Sequence, residues 1–107
     1  MLVVNRFLVE GDDAQFRAGA AAALAALGAR PGYVRGQLGR GYDDPTRWTL
    51  VTEWESVGAY RRALSAYEVK VHATRWLAGS LDEPSAFEVL AQAEPGGAVK
   101  TTGSDLA

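Results

Sequence analysis

Few side chains in this chain of 107 residues could carry chemistry. There is no cysteine, which excludes thiolate nucleophiles, disulfides and cysteine-based metal or iron–sulfur sites. The single histidine, His72, is of the one side-chain type suited to proton transfer near neutral pH. No Ser or Cys nucleophile motif stands beside it, and no metal-ligand spacing surrounds it. Two readings of His72 stay open: a half-exposed imidazole bonded to a carbonyl, or an acid/base or ligand at the border of a pocket. Asn5 is the second candidate, an amide in the apolar run LVVNRFLV. A buried amide left unpaired costs about 1–3 kcal/mol, so it either bonds a neighbour or points into a ligand cavity. Tyr60, Arg61, Arg62 and Arg75 form a candidate polar rim, with Arg61-Arg62 either a solvated face or an anion site. Gly39-Arg40-Gly41 is no phosphate loop, because no helix follows it.

The elements that must position these residues follow from hydrophobic period and turn chemistry. Residues 2–9 read as a strand and 13–28 as an alanine-rich helix, with Asp12 or Asp13 as its cap and Gly28 as its stop. A glycine-containing strand spans 33–42. A third strand spans about 47–55, with Trp48, Leu50, Thr52 and Trp54 on its apolar face. Trp54 on that face is either a core aromatic or the wall of a pocket between sheet and helices. Ser56 is placed to cap a helix at 57–64 and Ser65 a second at 66–78, where Trp76 shares the apolar stripe. A last strand is expected at 85–90, and the tail from Glu94 reads as poorly tied.

The order β-α-β-β-α-β is the ferredoxin-like α+β arrangement, an antiparallel sheet with helices on one face. The other face would leave Leu2, Val4 and Leu8 wet, so a homodimer packed sheet against sheet is expected. Apolar residues make up 48% and the net charge is −2 with signs interspersed, which argues against a nucleic-acid or membrane-surface partner. No signal peptide or bilayer-length apolar run is visible, so a cytoplasmic location is expected.

Pro31-Gly32-Tyr33, Asp43-Asp44-Pro45 and Leu50-Val51-Thr52-Glu53-Trp54-Glu55-Ser56 with Ala59-Tyr60 occur in an order that resembles the antibiotic biosynthesis monooxygenase domain. The resemblance implies a dimeric α+β barrel, with residues 1–92 as the domain and 93–107 as a flexible tail. It implies a monooxygenase that works without a cofactor on a hydrophobic, aromatic, polyketide- or quinol-like small molecule. Trp54 and Tyr60 fall on substrate-binding positions of the cofactor-independent branch, and Arg75 approximately on a third. An Asn of that branch is replaced here by Leu50. Asn5 and His72 are then the groups available to polarise or deprotonate the substrate. A second branch degrades haem: His72 falls on its axial-ligand position and Asn5 near its first-strand Asn, but Ala63 replaces a signature Trp. Haem with His72 as ligand is therefore the alternative cofactor reading, and no protein metal site is expected. A third reading is a non-catalytic binding or structural dimer.

Overall fold

The computed structural model describes residues 1–106. Its elements are β1 (Leu2–Leu8), α1 (Ala14–Gly28), β2 (Tyr33–Arg40), β3 (Arg47–Trp54), α2 (Val57–Ser65), α3 (Tyr67–His72), α4 (Thr74–Leu77), β4 (Ala86–Phe87), β5 (Ala91–Gln92) and β6 (Lys100–Thr101). The main sheet runs β2-β3-β1-β4 with antiparallel neighbours, the order the ferredoxin-like reading requires. The fold is α+β with an antiparallel sheet, as expected.

The period-two pattern of the strands sorts their side chains. Val3 pairs with Thr52, Asn5 with Leu50 and Phe7 with Trp48, so these six residues share the face under the helices. Val3, Phe7, Trp48, Leu50, Thr52 and Trp54 are buried there. The helices meet this face mainly through alanine: Ala23 and Ala26 from α1, Ala59 and Ala63 from α2, and Ala73 at the α3–α4 junction are all in the core. Small side chains let the helical layer lie close, and the large volume comes from the sheet. One aromatic cluster fills the end of the sheet near β1, where Phe7 and Phe16 both contact the Trp76 ring. Trp76 Nε1 donates to the Phe16 carbonyl at 3.1 Å.

The second strand begins at a tight turn. Gly32 has φ +89, a left-handed conformation that costs glycine little and other residues more. A Cβ there would also collide with the Ala59 methyl, so the turn and α2 are packed on each other.

The local expectations at the helix ends and the last strand are met in some places and not in others. Asp12, not Asp13, supplies the side-chain oxygen at the start of α1, accepting from the Ala14 N–H at 2.9 Å. Ser56 does cap α2, accepting from the Ala59 N–H at 3.1 Å. Ser65 does not cap the next helix: its hydroxyl donates back to the Arg61 carbonyl, and Ala66 occupies the cap position. The helix expected at 66–78 is broken at Ala73, where φ −127 and ψ −38 leave the helical region and turn α4 away from α3. The last strand keeps only two residues in the sheet, because Val4 and Arg6 are served beyond it by the Ser85 carbonyl and the Leu81 N–H. The segment from Glu94, read as a poorly tied tail, folds back. Ala91 and Gln92 pair with Thr101 and Lys100, and Glu88 accepts from Ser104 and Asp105.

Candidate active site

Two polar side chains reach one cleft. Asn5 stands mid-strand on β1 and points to the helical side because residues 3, 5 and 7 alternate in phase. Tyr60 stands on the first turn of α2, fixed in rotation by the Ser56 cap and by Ala59 and Ala63 buried against the sheet. Together with Leu64, Thr74, Leu77 and Ala78 they line a cleft of about 330 Å³. Residues 60 and 64 are one helical turn apart on α2, and residues 74, 77 and 78 lie on one face of the α4 segment. The break at Ala73 is what brings that face over Asn5.

Within the cleft the two polar groups are left free. Among the described residues neither the Asn5 carboxamide nor the Tyr60 hydroxyl has a hydrogen-bond partner in the protein. The Thr74 hydroxyl is already engaged, donating to the Val69 carbonyl at 3.3 Å. Burial pushes the Tyr60 phenol above its ordinary value, because the phenolate would lose hydration. At neutral pH the site therefore presents a neutral O–H donor and an amide with both donor and acceptor ends.

The other candidate positions fall differently. Trp54 is 1% exposed, and its indole N–H donates to the Thr52 hydroxyl at 2.9 Å. It stacks obliquely beneath Tyr60, with ring centroids 5.4 Å apart, so it supports the cleft without lining it. Leu50, directly across from Asn5 in the β1–β3 register, is fully buried. Arg75 is exposed on α4 and does not line the cleft. His72 is also elsewhere. It sits at the end of α3 in a surface groove floored by Ala22, Ala25, Ala26 and Ala29, and its Nε2 lies 3.3 Å from Glu68. The expectation that His72 joins Asn5 at one site does not match this geometry: one helical face cannot serve both the cleft and the α1 side. Among the described residues no three His, Cys, Asp or Glu side chains cluster as metal ligands. No helix among them is long and apolar enough to cross a membrane.

Leu64, Thr74, Leu77 and Ala78 were not singled out from the sequence. The 60/64 spacing was readable, but the α4 residues depend on a helix break at Ala73, which carries neither Gly nor Pro.

Residues 1–75 match the family model described as antibiotic biosynthesis monooxygenase. Among curated proteins there is no match. Among solved structures the chain is similar to SnoaB, a cofactor-independent oxygenase from Streptomyces nogalater. A single-residue variant of that protein is 35% identical over 75% of this chain and 82% of its own, with a TM-score of 0.66. The unaltered SnoaB structure is 30% identical over 98% of this chain and 94% of its own, with a TM-score of 0.64. A conserved protein from Methanosarcina mazei, 17% identical over 79% of this chain and 84% of its own, shares the fold with a TM-score of 0.64.

Proposed function

From membership of the antibiotic biosynthesis monooxygenase family, to which this chain belongs, we propose a cofactor-independent monooxygenase acting on a hydrophobic aromatic small molecule. The observation that carries the reading is the pair Asn5 and Tyr60, two hydrogen-bonding groups without protein partners in a cleft otherwise walled by Leu64, Leu77, Ala78 and Thr74, whose hydroxyl is already engaged. The similarity to SnoaB, described as cofactor-independent, supports the absence of a cofactor from the reaction.

The chemistry that suits such a cleft is oxidation of an electron-rich anthrone- or quinol-type ring by O₂. An anthrone CH₂ next to conjugated rings loses a proton to give an enolate. The enolate carbon bonds to O₂, the peroxide anion takes up a proton, and elimination of water leaves a ketone. One oxygen atom ends in the product and the other in water, and the oxidation of the substrate's CH₂ to C=O supplies all four electrons that reduce O₂. The Tyr60 O–H and the Asn5 N–H would hold the enolate oxygen, favouring the charged form in a site of low polarity. Neither group is a base at neutral pH, so the substrate's proton leaves to water. The substrate must then be acidic enough to ionise with only hydrogen-bond assistance.

The test is oxygen consumption by purified, chelator-treated protein supplied with anthrone- and quinol-type compounds under ¹⁸O₂. The reading predicts uptake above the spontaneous rate with one labelled atom in the product. No uptake above background across such compounds would refute it.

The haem alternative rests on His72. Its imidazole is about half exposed and paired with Glu68, in a groove of about 380 Å³ separate from the Asn5 cleft and lined otherwise by four alanines and Arg30. The residues do not fit that group, and a haemin titration should give no Soret shift that His72→Ala removes. The non-catalytic alternative would be favoured by a filled cleft; the cleft is open and reaches Asn5.

We further propose a homodimer through the outer sheet face. Val4 and Val51 are cross-strand neighbours there, Leu2 adjoins Phe87, and Leu8 and Phe87 are 46% and 41% exposed. A second copy would cover this strip, as sheets do when they pack face to face.

A further inference from the structure

Among the described residues the buried core holds one polar residue besides its tryptophans: Thr52, 2% exposed. A valine would fill the same space with no hydroxyl to desolvate. The hydroxyl has one use on this face. Residues 52 and 54 project from the same side of β3, and the Thr52 Oγ1 accepts from the Trp54 indole N–H at 2.9 Å. The threonine is itself held. Gly36 lies across from it on β2, and the room a Cβ would need there is taken by the Thr52 methyl, the Tyr33 hydroxyl and a Leu24 methyl. With its methyl over Gly36 and its hydroxyl toward the indole, this β-branched side chain is confined at χ1.

The indole passes the constraint on. The Trp54 ring centroid lies 5.4 Å from that of Tyr33 and 5.4 Å from that of Tyr60, at interplanar angles of 85° and 55°. An indole has more than one orientation about χ2, and the bond to Thr52 selects the one that meets both tyrosine rings. Tyr60 needs such a guide. Its hydroxyl has no protein partner among the described residues, so packing against its ring is what aims it into the cleft.

We propose that Thr52 is a positioning residue for the cleft: through the Trp54 indole it sets the direction in which the Tyr60 hydroxyl meets the substrate. Its effect on turnover rests on the monooxygenase reading; the contact chain from Thr52 through Trp54 to Tyr60 does not. A donor helps a developing enolate oxygen most when it already points there before the charge forms. A loosened Tyr60 ring therefore costs turnover more than binding.

The experiment compares Thr52→Val, which keeps the shape and removes the acceptor, with Thr52→Ser, which keeps the acceptor and removes the methyl over Gly36. NMR of the full chain, labelled at tyrosine Cζ and tryptophan Nε1 and assigned with Tyr60→Phe and Trp54→Phe, reads the contact chain. The Trp54 indole signal should move upfield in Thr52→Val and stay in place in Thr52→Ser. The Tyr60 phenol should titrate closer to its ordinary value in Thr52→Val alone. With an anthrone-type substrate, Thr52→Val should lower kcat about tenfold with KM within about twofold, and Thr52→Ser should restore kcat to within about twofold of wild type. Urea unfolding of the same variants separates this from packing, since a purely structural threonine would make the rate follow the loss of stability. A Tyr60 titration unmoved by Thr52→Val, or Thr52→Ser as slow as Thr52→Val, overturns the proposal. If wild type consumes no oxygen, the monooxygenase reading falls and the NMR comparison alone decides the positioning.

Discussion

At the scale of single residues, the cleft separates side chains left without protein partners from side chains spent on the core. Tyr60 belongs to the first kind. Its phenol is raised by burial, so the folded chain resists losing that proton where the unfolded chain does not. The folded state then binds more protons than the unfolded one above the ordinary tyrosine value of about 10. Stability contributed by Tyr60 is fully present below that pH and is lost as pH rises through its folded value. Tyr33, raised for the same reason, adds to the loss. Denaturant unfolding of wild type from pH 9 to 11.5 should show a falling midpoint, and Tyr60→Phe should flatten part of that fall. Trp54 belongs to the second kind. Trp54→Phe would leave the buried Thr52 hydroxyl without its partner as well as shrinking the core, and should cost about 2–4 kcal/mol in urea unfolding. Asn5 was legible in the sequence because an amide in an apolar strand needs an explanation. That His72 lines a different groove from Asn5 was not legible, because its spacing fixes a position along the chain but not which side of the helical layer it faces.

At the scale of elements, the strand-to-helix passage from Trp48 to Tyr60 was fully readable. Alternation fixed the strand, Ser56 marked the helix start, and both survive in the structure. Ser56→Ala should lower stability by about 1 kcal/mol and, by fraying the first turn of α2, loosen Tyr60. Gly32→Ala should cost more, of order 1–3 kcal/mol, since it combines a left-handed φ with a clash against Ala59. Thermal denaturation of the two variants checks the order. The passage from α3 to α4 was not readable. Ala73 is a good helix former, and the break there serves tertiary packing: Ala73 and Val69 are both buried. Local propensity could not reveal it. The last strand was foreseen but not its shortness, and the returning hairpin was missed for a related reason, because its pairing depends on contacts made in the folded chain.

At the scale of the whole molecule, the sheet separates two roles. Its inner face carries the core and the cleft, and its outer face carries an apolar strip with no helix over it. Two copies joined through that strip would leave both clefts open on the outside. Sedimentation equilibrium at micromolar concentration should give a dimer mass, and Val4→Lys/Val51→Asp should give a monomer that still folds; a wild-type monomer would contradict the arrangement. The family fold was legible because the order of elements is encoded in alternating periods, whereas the site needed the third dimension. The most direct measurement of the central claim is the initial rate of oxygen uptake with an anthrone-type substrate in wild type, Asn5→Ala, Tyr60→Phe and His72→Ala. Loss of a donor to the enolate oxygen should lower kcat by roughly 10²-fold in each of the first two variants. His72→Ala should stay within about twofold of wild type, a change under about 0.5 kcal/mol in the barrier, with the rate rising with pH along the substrate's own ionisation. Unchanged rates in Asn5→Ala and Tyr60→Phe, or a collapse in His72→Ala alone, would contradict it.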